Sequence, residues 1–425
     1  MILFGRKLVV FPPVAAVLVL LSFLGLSSCS DSSSPSSPGM PSAETVPVTG
    51  KVNHIFIVVL ENKSFSATFG STSPVPYLTE TLASQGAQLS NYYGTGHVSL
   101  DNYTSMLSGQ AGSPQTITDC ATYADFQATS STLDANGQIL GDGCVYPTSV
   151  KTLADQLTAA NLTWKGYMGD MGNDPARESA TCGHPTLNTT DMTQVAEAPS
   201  SAVPNGDMYA TRHDPFMYFH SIIDSPNCQK NVVNLESNLE NDLQSVSTTA
   251  NFNFITPNLC DDGHDAPCAN GQPGGYASIN AFLTKWIPLI TNSPAYKQDG
   301  LLIINFDESN YVASQGADGG TVLTFPGDFC CGQILGPNLK PYPQMQTIQV
   351  AGVAPTTLVY SNYGGDVTGA ILLSPFIKPG TVSTVSYNHY SMLRTIEDVF
   401  SLDHLGNAQA TGLTPFGTDV FTNVQ

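Results

Sequence analysis

Short apolar runs alternate with longer stretches of helical spacing along this chain. Residues 54–60 (HIFIVVL), 251–256 (NFNFIT), 301–306 (LLIINF) and 369–376 (GAILLSPF) are rich in β-branched and aromatic residues and predict buried strands. Between them the spacing predicts helices over Tyr77–Ser90, Val150–Ala160, Val232–Ser247, Ala277–Thr291 and His389–Leu402. In the last of these, Met392, Leu393, Ile396, Val399 and Phe400 fall on one face. Strands separated by helices imply an α/β sandwich with a mainly parallel sheet. No internal repeat is visible, so one large domain with insertions, or at most two domains, is expected.

The N-terminus changes this picture. Residues 1–28 carry Arg6 and Lys7, then an apolar stretch from Leu8 to Leu26, and no acid, which reads as a secretion signal outside the fold. It closes on LSSC, where small residues precede Cys29 in a pattern that resembles the lipobox of bacterial lipoproteins; an ordinary signal peptide or an uncleaved anchor helix are the alternatives. Residues 29–48 are too rich in Ser and Pro to pack and read as a tether, which leaves 49–425 as the functional domain. The expected location is therefore the cell envelope outside the cytoplasm, with a lipid on Cys29 holding the chain to a membrane.

Removing the signal leaves 12 basic against 34 acidic residues, a net charge of −22, so nucleic acid is an unsuitable partner. Eight cysteines remain beyond Cys29, and an even number in an exported chain favours disulfides. Sequence neighbours suggest Cys120 with Cys144, Cys182 with Cys228, and Cys260 with Cys268, though spacing alone does not fix connectivity. Zinc is the rival reading, but only Cys330 and Cys331 cluster tightly and no Cys-x-x-Cys pair occurs.

The loops after three of the strands carry the polar chemistry: Glu61-Asn62-Lys63-Ser64, then PNLCDDGHD, then Asp307-Glu308-Ser309. Ligands of open α/β sheets bind beyond the carboxyl ends of strands, so these loops should converge on one crevice. Glu61, Asp262, Asp307 and Glu308, with His264 and His389, supply hard oxygen donors and imidazoles. Four acids in one crevice repel one another unless a cation neutralises them, which makes a divalent metal the economical explanation. Helix capping or surface salt bridges are the bland alternative for any one of them. Ser99, ahead of a helical run, is either an N-cap or a nucleophile at a helix start, where N–H groups favour a phosphate. Asn102 lies one turn on, where its amide could donate to a phosphate oxygen.

Five blocks in order carry a resemblance: HIFIVVLENKSFSATFG, GHVSLDNYTSMLSG, FITPNLCDDGHD, LIINFDES and SPFIKPGTVSTVSYNHYSMLRTIEDVFSL. Together they resemble the bacterial acid phosphatase and phospholipase C family of phosphoesterases, within the alkaline phosphatase superfamily, over residues 50 to 405. The resemblance implies the alkaline phosphatase-like three-layer sandwich. It implies Ser99 as the residue phosphorylated during turnover, and Glu61, Asn62, Asp307 and Glu308 as holders of a metal that also contacts Ser99. It assigns Asp262, His264 and His389 to a second cluster that binds another cation or the phosphate. TRHDPF is similar to a further family block and adds His213 as a phosphate contact, while His97 is placed to protonate the leaving oxygen.

One departure stands out. Many relatives read His-Pro-Ser-Leu-Pro-Asn at the nucleophile, whereas Val98 and Asp101 replace both prolines here, and Asp101 adds a negative charge. The expectation is an exported, lipid-anchored, metal-dependent hydrolase of phosphate monoesters acting through a phosphoserine. A phospholipase C-type phosphodiesterase and a non-catalytic, ligand-binding surface lipoprotein are the alternatives.

Overall fold

Eight strands build the central sheet: β1 (His54–Leu60), β2 (Ala87–Tyr93), β3 (Trp164–Met168), β4 (Val232–Asn234), β5 (Phe252–Thr256), β6 (Gly300–Phe306), β7 (Ala370–Leu373) and β8 (Thr381–Asn388). They belong to a computed structural model of the chain that describes residues 46–70, 72–316, 319–348 and 355–424. Their order is β8-β2-β7-β6-β1-β5-β3-β4. β1 lies between β5 and β6 and is parallel to both. β7 alone is antiparallel, against β2 on one side and β6 on the other.

Among the described residues, five helices of seven residues or more cover the sheet: α1 (Ser99–Ser108), α2 (Leu153–Ala159), α3 (Leu235–Asp242), α4 (Gly275–Asn292) and α5 (His389–Phe400). β1 is apolar at every position from Ile55 because both of its faces are covered. Ile55, Ile57 and Val59 face a core shared with Leu100 and Tyr103 of α1 and Met392 and Ile396 of α5. Phe56, Val58 and Leu60 face the other, with Leu239 of α3 and Ile279, Phe282 and Leu283 of α4. Each such side chain contributes roughly 1.5–3 kcal/mol through burial. The predicted three-layer α/β sandwich with a mainly parallel sheet is the fold observed.

Several expected boundaries move. Residues 87–90 belong to β2 and not to the preceding helix, which stops at Gln85. A Cβ at Gly86 would lie 2.0 Å from the Leu372 carbonyl oxygen, so the chain turns there against β7 in a way only glycine permits. Val232–Asn234 is a strand, and the helix begins after it because the Asn234 side chain accepts from the Ser237 N–H as N-cap. The run at 369–376 contributes four strand residues, and they run antiparallel. The expected signal, Cys29 and the tether up to residue 45 lie outside the described residues. The end of that tether is folded: Val46 and Val48 are buried in the core, because two valines spaced i, i+2 give the segment an apolar edge to dock.

Long insertions rise from the carboxyl edge of the sheet, and disulfides pin them. Cys120–Cys144, Cys182–Cys228 and Cys260–Cys268 are bonded as the sequence suggests, and Cys330–Cys331 form a fourth bridge. Between β6 and β7 a second sheet of four strands, 312–315, 321–325, 344–348 and 356–360, overhangs that edge. Among the described residues no helix is long and apolar enough to cross a membrane.

Burial of two carboxyls in the insertion after β3 gives the fold an acid bias. Burial first, and Asp207 second, push Glu178 up to about 9; burial and Glu236 push Asp170 up to about 7. Both folded values exceed the unfolded values near 4, so the native state keeps protons that the unfolded chain releases. That contribution is complete below about pH 4 and is lost as pH rises toward the folded values. The melting temperature should therefore fall between about pH 5 and pH 8, and Glu178→Gln should raise it at pH 8 by roughly 2–4 °C. A pH-melting curve that rises over this range, or is indifferent to Glu178→Gln, contradicts the assignment.

Candidate active site

The parallel strands deliver the predicted acids to one edge. Glu61 and Asn62 follow β1, Asp262 lies in the loop after β5, Asp307 and Glu308 follow β6, and β2 leads through residues 94–98 into α1 and Ser99. Backbone bonds lock these loops together: Glu61 N–H donates to Asp262 O at 2.9 Å and Asp307 N–H to Leu60 O at 3.0 Å. Gly94 sits so close to the Asp307 carbonyl that a Cβ there would lie 2.5 Å from its oxygen.

Val98 occupies the N-cap position of α1, so Ser99 is the first residue inside the helix and does not cap it. Its hydroxyl instead donates to Glu61 Oε2 at 3.0 Å. The Leu100 N–H is satisfied from outside the helix by Asp119 Oδ1 at 3.1 Å. A cleft of about 460 Å³ opens over Ser99, lined by Asn62, Lys63, Asp119, His264, Glu308 and Tyr311 among others. Ser99 thus presents a hydroxyl to a cavity from a buried carboxylate that fixes its rotamer.

Around it the acids are fully buried. Burial, then the charges of Asp307 and Asp262, push Glu61 well above the carboxylate range. Burial pushes Asp307 up to about 6 against the pull of the Asn62 N–H, which donates to its Oδ1 at 3.1 Å. The other oxygen, Oδ2, is buried with no hydrogen bond. Asn62 also donates from Nδ2 to Glu308 at 2.7 Å, and so ties the two acids of β6 to β1.

Glu61, His213 and Asp262 offer ligand atoms all within 4.8 Å of one another. His213 Nδ1 lies 3.1 Å from Asp262 Oδ2, and its Nε2, buried without a partner, lies 3.5 Å from Glu61 Oε1. Burial first, then Arg212 and His264, hold His213 well below its ordinary value and keep it neutral. With the Nδ1 proton on Asp262, the Nε2 lone pair faces a carboxylate, an arrangement that calls for a positive charge between them. This orphaned nitrogen, the orphaned Asp307 oxygen and the hard oxygen set fit divalent cations.

Other expected residues take different places. Asn102 does not reach the cleft. Its Oδ1 accepts from the N–H groups of Thr95 and Gly96, and its Nδ2 donates to the carbonyls of Gly96 and Val98, so it braces the loop before Ser99. His97 is likewise absent from the cleft lining, being held by Glu308 on Nδ1 and by Asp366 on Nε2 at 3.0 Å. Burial opposes its charge, but those two acids outweigh it and raise His97 to about 10, a fixed cation rather than a leaving-group acid. His389 sits away from Asp262 and His264. Its Nε2 donates to the Asp307 carbonyl at 2.6 Å and its Nδ1 accepts from Tyr92 at 2.9 Å, and burial pushes it down to about 4. It orients the ligand loop through the backbone. His264 lines the cleft, bonded to Asp265. Asp101 points back under Gly96 and Gly112 and does not face the cleft, so the feared negative charge beside a substrate is absent.

Four contributors carried no recognised signal. Tyr103 donates to Glu61 Oε1 at 2.6 Å and stacks on His213 at 5.2 Å. Asp119 and Lys63 line the cleft, and Lys63 Nζ donates to the Glu61 and Gly263 carbonyls. Asp366 precedes β7, and because that strand is antiparallel its amino end meets the carboxyl ends of the others. Its place in the sequence, ahead of a strand instead of after one, therefore gives no sign of the site.

Known proteins resemble the chain weakly but over much of its length. It is 23% identical over 356 residues to a probable acid phosphatase of Kluyveromyces lactis, covering 83% of this chain and 59% of that one. It is 24% identical over 257 residues to a phosphatidylinositol-3-phosphatase of Mycobacterium tuberculosis, covering 60% of this chain and 64% of the relative. The chain thus spans less than two thirds of either relative. Among solved structures, a protein in the alkaline phosphatase superfamily from Vibrio parahaemolyticus overlaps 89% of this chain and 74% of its own, at 11% identity and a TM-score of 0.43. A model of the Phosphoesterase family matches residues 71–403, a span that holds Ser99, Asp262, Asp307, Glu308 and His389, and the chain belongs to that family.

Proposed function

We propose that the protein is an exported, metal-dependent phosphoesterase that hydrolyses phosphate monoesters through a phosphoserine on Ser99. The observation that carries this reading is the Ser99 hydroxyl, held on buried Glu61 at the mouth of a cleft and surrounded by acids that need a counter-charge. Family membership and the acid phosphatase named among the relatives support the ester class.

Glu61, Asn62, Asp307 and Glu308 with Ser99 would hold one divalent cation, and Glu61, Asp262 and His213 a second. Bound there, a cation lowers the cost of an alkoxide on Ser99 and of charge on the phosphoryl oxygens. Ser99 Oγ attacks phosphorus in line with the ester oxygen; the Oγ–P bond forms as the bond to the leaving group breaks. Its proton leaves along the hydrogen bond to Glu61 Oε2. Lys63, with two of its three N–H donors on carbonyls, keeps one to offer a phosphoryl oxygen at the cleft wall. Water then attacks the phosphoserine and the Oγ–P bond breaks; Oγ takes back the proton held by Glu61, and the proton the water gives up stays on the departing phosphate. Asn102 and His389 hold the loops that fix this geometry, and a small displacement of either loop costs rate.

Ser99→Ala should lower turnover of p-nitrophenyl phosphate by about 10³ or more and lower the melting temperature by only a few degrees, since the hydroxyl does not cap α1 and makes one hydrogen bond, to Glu61. Activity within a few-fold of the native protein removes Ser99 as nucleophile. Cleavage of bis-p-nitrophenyl phosphate in preference to the monoester would move the assignment to a phosphodiesterase.

Chelation should lower both activity and melting temperature, because the crowded acids are left to repel one another. Asp307→Asn should carry less bound metal by elemental analysis. A purified protein without stoichiometric metal, indifferent to chelators, contradicts the reading.

Location follows from the sequence alone: lipid on Cys29 would tether the domain to the envelope membrane, and a bacterial lipoprotein needs several acyl chains for stable anchoring. Cys29→Ala in a bacterial host should release the protein from the membrane fraction and abolish fatty-acid labelling. A variant that stays membrane-bound speaks for an uncleaved N-terminal helix.

A further inference from the structure

The cleft over Ser99 has one wall that chemistry at phosphorus does not use. Ser99, Lys63 and the acids serve the phosphoryl group, whereas Val98, Tyr311 and Phe325 line the same cleft of about 460 Å³ and bring no charge to it. Tyr311 is 48% exposed, so its ring is open at the cleft, while Phe325 behind it is buried. Both belong to the insertion between β6 and β7: Tyr311 follows Glu308 by three residues, and Phe325 ends the strand 321–325 of the overhanging sheet.

This wall is fixed from behind. Phe325 stacks on Tyr360 with ring centroids 4.8 Å apart and packs against the His97 ring at 5.0 Å, and Tyr311 stands edge-on to Phe325 at 5.8 Å. His97 is itself clamped by Glu308 and Asp366. The loop that carries Tyr311 is tied at two points: the Ser309 N–H donates to the Gly365 carbonyl at 2.9 Å, and Asn310 Oδ1 accepts from the Ser64 N–H at 3.2 Å. A row of rings thus runs from the buried His97, in the loop that leads to the nucleophile, out to the rim. Its last member keeps about half of its surface uncovered. A ring held this way is a preorganised stacking surface, since little freedom remains to be lost when a second ring settles on it.

Charge limits what can use that surface. Among the described residues Lys63 is the one Lys or Arg of the lining, and two of its donors are already on carbonyls. A second anionic group on the leaving alcohol would meet the acid Asp119 and no further Lys or Arg. A small polyhydroxy alcohol would leave the Tyr311 ring in water. We infer that the cleft selects phosphate monoesters whose alcohol or phenol carries an uncharged aromatic ring, with Tyr311, backed by Phe325, as the specificity-determining residue that takes the ring. This rests on the reading of Ser99 as nucleophile and goes beyond it by naming the leaving group. A small phenol and a tyrosine side chain present the same ring.

The test is calorimetric binding of phosphonates, whose C–P bond is not hydrolysed, to the purified native protein. Phenylphosphonate should bind about tenfold more tightly than methylphosphonate, with cyclohexylphosphonate between them. Tyr311→Ala should bring the phenyl-to-methyl ratio to within about twofold of one, and Tyr311→Phe should keep it. The ratio is read within each preparation, so a partial loss of folded protein does not mimic the effect. In turnover, benzyl and ethyl phosphate, whose alcohols have similar acidity, should differ about tenfold in KM and little in kcat, which separates ring binding from leaving-group reactivity. Phenyl phosphate and a neutral phosphotyrosine peptide then distinguish the two sources of the ring, the lower KM marking the one the cleft accepts. The proposal is overturned if phenylphosphonate has no advantage, if cyclohexylphosphonate matches it, or if the ratio survives Tyr311→Ala. Turnover by Ser99→Ala would instead remove the nucleophile and leave these binding ratios standing, so the two readings fail separately.

Discussion

Mutual repulsion among buried carboxylates is the constraint around which this structure is organised. Glu61, Asp262, Asp307 and Glu308 stand at one edge of the sheet, all shielded from water, where like charges interact far more strongly than in solvent. Such a cluster persists only if every lone pair is answered. The fold answers most of them with its own groups: Ser99 and Tyr103 on Glu61, the Asn62 backbone on Asp307, the Asn62 amide and cationic His97 on Glu308. What it leaves open, one oxygen of Asp307 and one nitrogen of His213, marks where external positive charge belongs.

Much of the remaining architecture serves that cluster. The parallel strands aim their carboxyl ends at one edge, and the reversed β7 brings Asp366 there to complete the clamp on His97. Disulfides hold the insertions that carry His213 and Asp262. His389, at the start of α5, reaches across to the Asp307 carbonyl and couples the outer strands to the centre. Gln333 donates to the Thr95 carbonyl and so secures the loop braced by Asn102 from its other side.

The central strands were legible because a strand covered on both faces is a continuous apolar run, and HIFIVVL and LLIINF are such runs. The acids were legible because they directly follow those strands. β3 and β8 were not, since WKGYM and TVSTVSYN mix polar and apolar residues toward the sheet's edges. The overhanging second sheet escaped for the same reason, its strands being polar and largely solvent-facing. The side-chain roles of His97, Asn102 and His389 follow from where their rings and amides point, which sequence order does not specify. All three turn their polar atoms to groups within the protein: His97 to two carboxylates, Asn102 to backbone N–H and C=O groups, and His389 to the Asp307 carbonyl and the Tyr92 hydroxyl.

The central claim is that Ser99 becomes covalently phosphorylated. Acid quenching during turnover of a phosphate monoester, followed by proteolysis and mass spectrometry, tests it directly, because phosphoserine survives acid whereas a phosphohistidine does not. The account predicts phosphate on the peptide containing Ser99, at a substantial fraction of one per chain, and its disappearance when substrate is exhausted. Turnover with no phosphopeptide at any time, or with phosphate on another residue, would contradict it.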